Sequence, residues 1–211
     1  MGKRLNYILM ADIINSQKKD QQQLMLDFKR VVNEINTQVK DKFLSPMTIT
    51  LGDEFQSVVT SLSSGVDIIL RLEEEIFSRQ MDFKLRYILV EGNIDTPINP
   101  KIAYEMLGEG LTTARSGLQQ MKSSKSRYNV KLKSEKLEGA VNNTFTALQG
   151  IVDDWKVAPD YQIVSKFLEN KDYKEVAIEV NREKSVIWKR KISLKVKEYL
   201  SLKKVLAYLV L

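Results

Sequence analysis

Cysteine and histidine are both absent from the 211 residues. Without cysteine there is no disulfide and no thiolate, and without histidine there is no imidazole to act as base or metal ligand. Proline is scarce, at 4 residues, and glycine stands at 9, so the chain is neither collagen-like nor of low complexity. No apolar run approaches the roughly 18 to 20 residues of a membrane helix. The N-terminal MGKRLNYILMADI carries Asp12 too early for the core of a secretory signal. These absences predict a soluble, cytoplasmic protein whose chemistry rests on carboxylates, lysine, arginine, hydroxyls or a bound ion.

What is present is a globular mixture, 43% hydrophobic and 28% charged. The net charge of +6 is unevenly placed: residues 157–211 hold 12 of the 33 basic and 7 of the 27 acidic side chains. A basic C-terminal quarter implies a segment with its own task. The chain is therefore divided, as an expectation, into an α+β domain over 1–155 and a small helical domain over 156–211.

The order of elements follows from hydrophobic spacing. LNYILMADI (5–13) reads as a buried strand. Leu24, Phe28, Val31, Ile35 and Val39 recur at helical spacing across 20–39. Residues 47–51 and 55–60 read as a hairpin, Val66 to Phe77 as a second helix and 83–90 as a fourth strand. The sum is β-α-β-β-α-β, the split unit of ferredoxin-like sheets. A helix over 109–122 and a strand over 128–132 extend it, and SSKSR at 123–127 is the nearest thing to a linker.

In such a sheet the end of the first strand and the turn between the second and third share one edge, so Asp12 and Asp53 are expected side by side. Taken singly, Asp12 suits a helix cap and Gly52-Asp53-Glu54 suits an ordinary turn. Together, two carboxylates without a counter-charge call for a divalent cation, and Mg²⁺ (or Mn²⁺) suits an all-oxygen ligand set. The following Ile14, Asn15 and Ser16 open the first helix, whose free N–H groups would hold a phosphate. Glu91, near the far end of strand four, is left out of this site. A site for a metal ion and a nucleoside triphosphate is the expectation.

ADI (11–13) and LGDEF (51–55) resemble the metal-binding pair of the nucleotidyl-cyclase and palm-type fold. With RYILVEG (86–92) and GEGLTTAR (108–115) they are more similar still to the SatD-like family of small bacterial proteins, over nearly the whole chain. The cyclase resemblance implies an Asp12/Asp53 metal site and a homodimer in which Arg115 reaches the neighbour's site and steadies a transition state. It also implies an asparagine and a lysine where this chain has Leu111 and Ile49, so cyclisation is not expected.

YKEVAIEVNREKSVIWKRKI (173–192) has the spacing of a helix-turn-helix: Ala177 where two helices touch, Asn181 in the turn and Ile187 on the inner face. Ser185 stands near the start of the second helix. Lys184, Ser185, Lys189 and Arg190 are expected to face outward toward duplex DNA, or to form a solvated basic face. The apolar end, 200–211, is expected to pack on this bundle or to dimerise. Two readings result. The first is a DNA-binding regulator with a nucleotide- and metal-sensing domain. The second is a Mg²⁺-dependent nucleotidyl- or phosphoryl-transfer enzyme that its C-terminus directs to nucleic acid.

Overall fold

The structure, a computed structural model, describes residues 5–16, 20–50 and 52–211. Its strands are β1 (Leu5–Ile13), β2 (Phe43–Ile49), β3 (Glu54–Val59), β4 (Leu85–Asn93) and β5 (Tyr128–Lys131). They form one sheet in the order β2-β3-β1-β4-β5, antiparallel except for the β4/β5 pair. This is the split βαββαβ arrangement with one added strand. The helices are α1 (Gln21–Gln38), α2 (Leu62–Ser78), α3 (Glu109–Met121), α4 (Glu135–Val152), α5 (Gln162–Leu168), α6 (Tyr173–Glu179), α7 (Lys184–Ser193) and α8 (Val196–Leu209).

β1 lies at the centre because both its faces are apolar. Leu9, Ala11 and Ile13 face α1, α2 and α4, while Ile8 and Met10 face α3 together with Val58, Ile88 and Val90. Side chains alternate along a strand, so two covered faces produce the unbroken apolar run seen in the sequence. β2 begins earlier than expected, at Phe43, and includes Pro46. It is an edge strand with shifts in its register, and there a proline is tolerated because no ladder bond is lost.

α3 packs directly on β4 through two glycines. A Cβ on Gly92 would stand 2.6 Å from the Cα of Gly110. The segments RYILVEG and GEGLTTAR thus meet at their glycines, which fixes how closely the first turn of α3 approaches the sheet.

α4 was not anticipated, and 123–127 is no linker. Arg127, 4% exposed, donates to both carboxylate oxygens of Glu73 on α2 at 3.0 and 2.9 Å, to the Leu85 carbonyl and to Asp153. Asn142 of α4 bonds the N–H and the C=O of Val130 at 2.8 Å each, so it closes the outer edge of β5. The apolar core then continues into the C-terminal helices. Phe77 meets Trp155 and Tyr161, and Trp155 meets Tyr199 of α8, with ring centroids 4.9 to 5.2 Å apart. Among the described residues no helix is long and apolar enough to cross a membrane.

Breaking a buried ion pair on one side leaves a charge without a partner, which costs about 3 to 5 kcal/mol. Glu73→Gln should therefore lower the unfolding free energy by about 3 kcal/mol in urea titration. Replacing Glu73 and Arg127 together by leucine should cost less than the single change.

Candidate functional site

The alternation that builds the α3 face of the sheet also builds the site. Ile8 and Met10 of β1 are followed on the same face by Asp12, Val58 and Gln56 of β3 by Glu54, and Val90 and Ile88 of β4 by Arg86. The registers place Asp12 opposite Glu54 on one side and opposite Arg86 on the other. At the edge of the sheet the apolar row therefore gives way to a charged row, Glu54–Asp12–Arg86, running across β3, β1 and β4. All three residues are buried.

Arg86 holds Asp12 firmly. Its Nη1 donates to Oδ1 and Oδ2, both at 2.9 Å. Lys122, at the end of α3, brings its Nζ to 3.5 Å from Asp12 Oδ2, and its side chain is 47% exposed. The Nε of Arg86 is a buried donor without an acceptor among the described residues. Burial pushes the Asp12 carboxyl above its ordinary value, against the pull of Arg86 and Lys122. Burial also raises Glu54; Arg115 and Lys122 oppose that shift, and Asp12 and Asp53 add to it. Arg115, exposed on α3, therefore acts on the edge of its own chain.

Asp53 belongs to the other side. Its Oδ2 accepts from Ser16 Oγ at 2.7 Å, and it lines a small cavity with Leu24 and Met25 of α1. Asp12 and Asp53 share one edge of the sheet, since Ile13 N–H donates to the Asp53 carbonyl at 2.9 Å. Their side chains nevertheless have different partners. A one-residue step in a strand changes the face, so Glu54 and not Asp53 lies beside Asp12. Gly52 makes the turn possible with φ +87°.

Asp12 is not without counter-charge: Arg86 and Lys122 supply it. A divalent ion on Asp12 would have to displace the Arg86 bonds on both carboxylate oxygens and share the site with that guanidinium charge. The orphaned group is also a donor, which no cation can satisfy. Among the described residues no three carboxylates form a metal-holding group. As arranged, these residues do not fit Mg²⁺ or Mn²⁺.

Ile14, Asn15 and Ser16 do not open the first helix, which begins at Gln21. Ile14 N–H donates to the Lys84 carbonyl, Ser16 is engaged by Asp53, and Asn15 sits at φ +57°. The first turn of α1 is capped by the Asp20 carboxylate, which accepts from Gln22 and Gln23 N–H and places negative charge where an anion would bind. Part of the loop, 17–19, lies outside the described residues.

An open cleft of about 770 Å³ adjoins the charged row, between α3 and segment 104–108. Gln56, Tyr104, Leu107, Leu111, Thr112 and Arg115 line it. Leu111 is buried among Ile8, Met10 and Val58, and Ile49 packs on the opposite core. Both positions are apolar because they are packed.

In the C-terminal helices Ala177 is 2% exposed, Ile187 is fully buried and Asn181 adopts φ +49° between α6 and α7. Lys184, Ser185 and Lys189 are exposed. Arg190 is half-buried, and it pairs with buried Asp160. The helix starts at Lys184, capped by Glu183 backbone geometry with no side-chain cap bond.

The model of the SatD family matches residues 7–210. A comparison with curated proteins finds no match. Among solved structures, the catalytic core of a rhodopsin-guanylyl cyclase with converted specificity, in complex with ATPαS, is 15% identical with a TM-score of 0.42, covering 61% of this chain and 77% of that one. The monomeric guanylyl cyclase domain of the RhoGC fusion protein from Blastocladiella emersonii is 14% identical with a TM-score of 0.42, covering 61% and 81%. The guanylate cyclase domain of RhGC from Catenaria anguillulae, in complex with GTP, is 17% identical with a TM-score of 0.43, covering 61% and 78%. Likeness at this level carries no residue roles across.

The raised Glu54 carboxyl gives a pH test. A carboxyl raised in the folded state holds its proton more tightly there, so its contribution to stability is full below its ordinary value of 4.5 and is lost as pH rises through the raised value. Glu54→Gln stays neutral throughout. Its stability relative to the parent should rise as pH goes from 4.5 toward neutrality, as read from urea midpoints across that range.

Proposed function

The chain belongs to the SatD family, and from the geometry of its strand-end edge we propose that it is a nucleotide-binding regulatory protein that binds without turnover. One observation carries this reading: an open cleft of about 770 Å³ whose wall bears the exposed Arg115, beside a row in which Arg86 and Lys122 hold Asp12. The volume lies within the roughly 300 to 1,000 Å³ of small-ligand sites. Tyr104, 54% exposed, offers a ring face for a base, and Leu107 and Leu111 offer an apolar floor. Arg115 and Lys122 take the phosphates. Binding without turnover is supported by the two packed apolar positions, Leu111 and Ile49, and by the engagement of Asp12 with Arg86. The transfer-enzyme reading has no such support.

A second reading concerns α7, where Lys184, Ser185 and Lys189 stand exposed on one helix that follows a tight turn. In this proposal the α6–α7 pair is a helix-turn-helix whose second helix enters the major groove of duplex DNA, with Arg190 reserved for Asp160. Phosphate contacts of this kind weaken steeply with salt.

Two outcomes are expected. In isothermal titration ATP or GTP should bind, and Arg115→Ala should weaken that binding about 10-fold or more, the worth of one charge-assisted hydrogen bond. Replacing Lys184 and Lys189 by alanine should flatten the log–log salt dependence of duplex DNA binding by about 2 units. An unchanged slope would leave α7 a solvated basic face.

A further inference from the structure

We infer that the strand-end edge binds the phosphate groups of its ligand without a divalent cation, Arg86 and Lys122 standing where such an ion would stand. This rests on the nucleotide reading above and extends it to the chemistry of phosphate capture. Around polyphosphates a bound metal supplies concentrated positive charge, and here the chain supplies that charge from its own strands and helix.

Arg86 is placed by the sheet itself. It is in register with Asp12 across the central β1/β4 pair, and its side chain is only 9% exposed. It cannot withdraw without breaking the bond pattern on both Asp12 oxygens. A cation would therefore meet a carboxylate whose two oxygens are already engaged and a guanidinium that stays in place. The Nε of Arg86 is closed off from solvent and has no acceptor among the described residues, a donor that no cation can satisfy. Lys122 and Arg115 are exposed enough to turn toward an arriving phosphate. Lys122 already bridges the row, acting on both Asp12 and Glu54. The ligand class is a phosphorylated small molecule that fills the adjoining cleft, with its phosphates taken by Arg115 of the cleft wall and by the exposed Lys122.

The test is thermal unfolding of the full chain with ATP and with GTP, each in excess EDTA and in excess Mg²⁺. The expected result is an equal rise in melting temperature under both conditions, since a ligand that binds only the folded state must stabilise it. A rise seen only with Mg²⁺ overturns the inference and leaves the nucleotide reading standing. No rise in either condition overturns the nucleotide reading, and the inference with it. Lys122→Gln should weaken binding in EDTA about 10-fold, with no rescue by Mg²⁺. The pair Arg86→Gln with Lys122→Gln should free Asp12 and gain Mn²⁺ binding, detected by electron paramagnetic resonance. If that double variant fails to fold by circular dichroism, the Lys122→Gln result decides. Mn²⁺ bound by the parent protein and lost in Asp12→Asn would overturn the inference directly.

Discussion

Everything at the candidate site depends on the register between β1 and β4. That register sets Arg86 opposite Asp12 and lets one guanidinium nitrogen reach both carboxylate oxygens at 2.9 Å. Shifted by one residue, Arg86 would point into the apolar face beneath α1 and α2, and buried Asp12 would keep only the half-exposed Lys122. The register is held by the two apolar faces of β1, which cannot be exchanged without exposing one and burying the wrong side chains in the other. The core therefore dictates the chemistry available at the edge.

The second constraint is the close seating of α3. Gly92 and Gly110 touch, so α3 lies low over β4 and β1 and brings Lys122 and Arg115 down to the end of the sheet. With bulkier residues at either position the helix would lift, and the cations would lose contact with the carboxylates. Two sequence segments far apart in the chain thus serve one geometric end. Behind them, the buried Glu73–Arg127 pair ties β5 to α2, and the aromatic contacts of Phe77, Trp155 and Tyr199 carry the same core into the C-terminal helices.

Much of this was legible in the residues. The split βαββαβ order follows from period-two and helical spacing, and so do the small residue at Ala177 and the turn at Asn181. The strand-end edge was legible as a location, because ADI and GDEF had to meet there. Its pairing was not: the carboxylate opposite Asp12 is Glu54. Counting back from the Asp12–Glu54 pairing would have put Glu54 beside Asp12 and sent Asp53 to the α1 side, where Ser16 holds it. Arg86 was visible as the first residue of RYILVEG, on the same alternation as Ile88 and Val90, but a pairing register across β1 was needed to see its partner. α4 escaped because Gly139, Asn142, Asn143 and Gly150 dilute its stripe of Val141, Phe145, Leu148 and Val152, and Asn142 is there to cap a strand edge. Arg127 and Arg190 both look like surface cations in sequence. Each is used inside the fold, by a carboxylate that only the tertiary structure brings near.

Asp12 is committed to Arg86, and Lys122 stands beside the same carboxylate. The most direct measurement is a crystal structure of the protein soaked in Mn²⁺, with anomalous scattering used to locate the ion. No anomalous peak is expected at Asp12, and the Arg86 guanidinium should stay within hydrogen-bonding distance of both its oxygens. A manganese peak shared by Asp12 and Asp53, with Arg86 turned away, would contradict it.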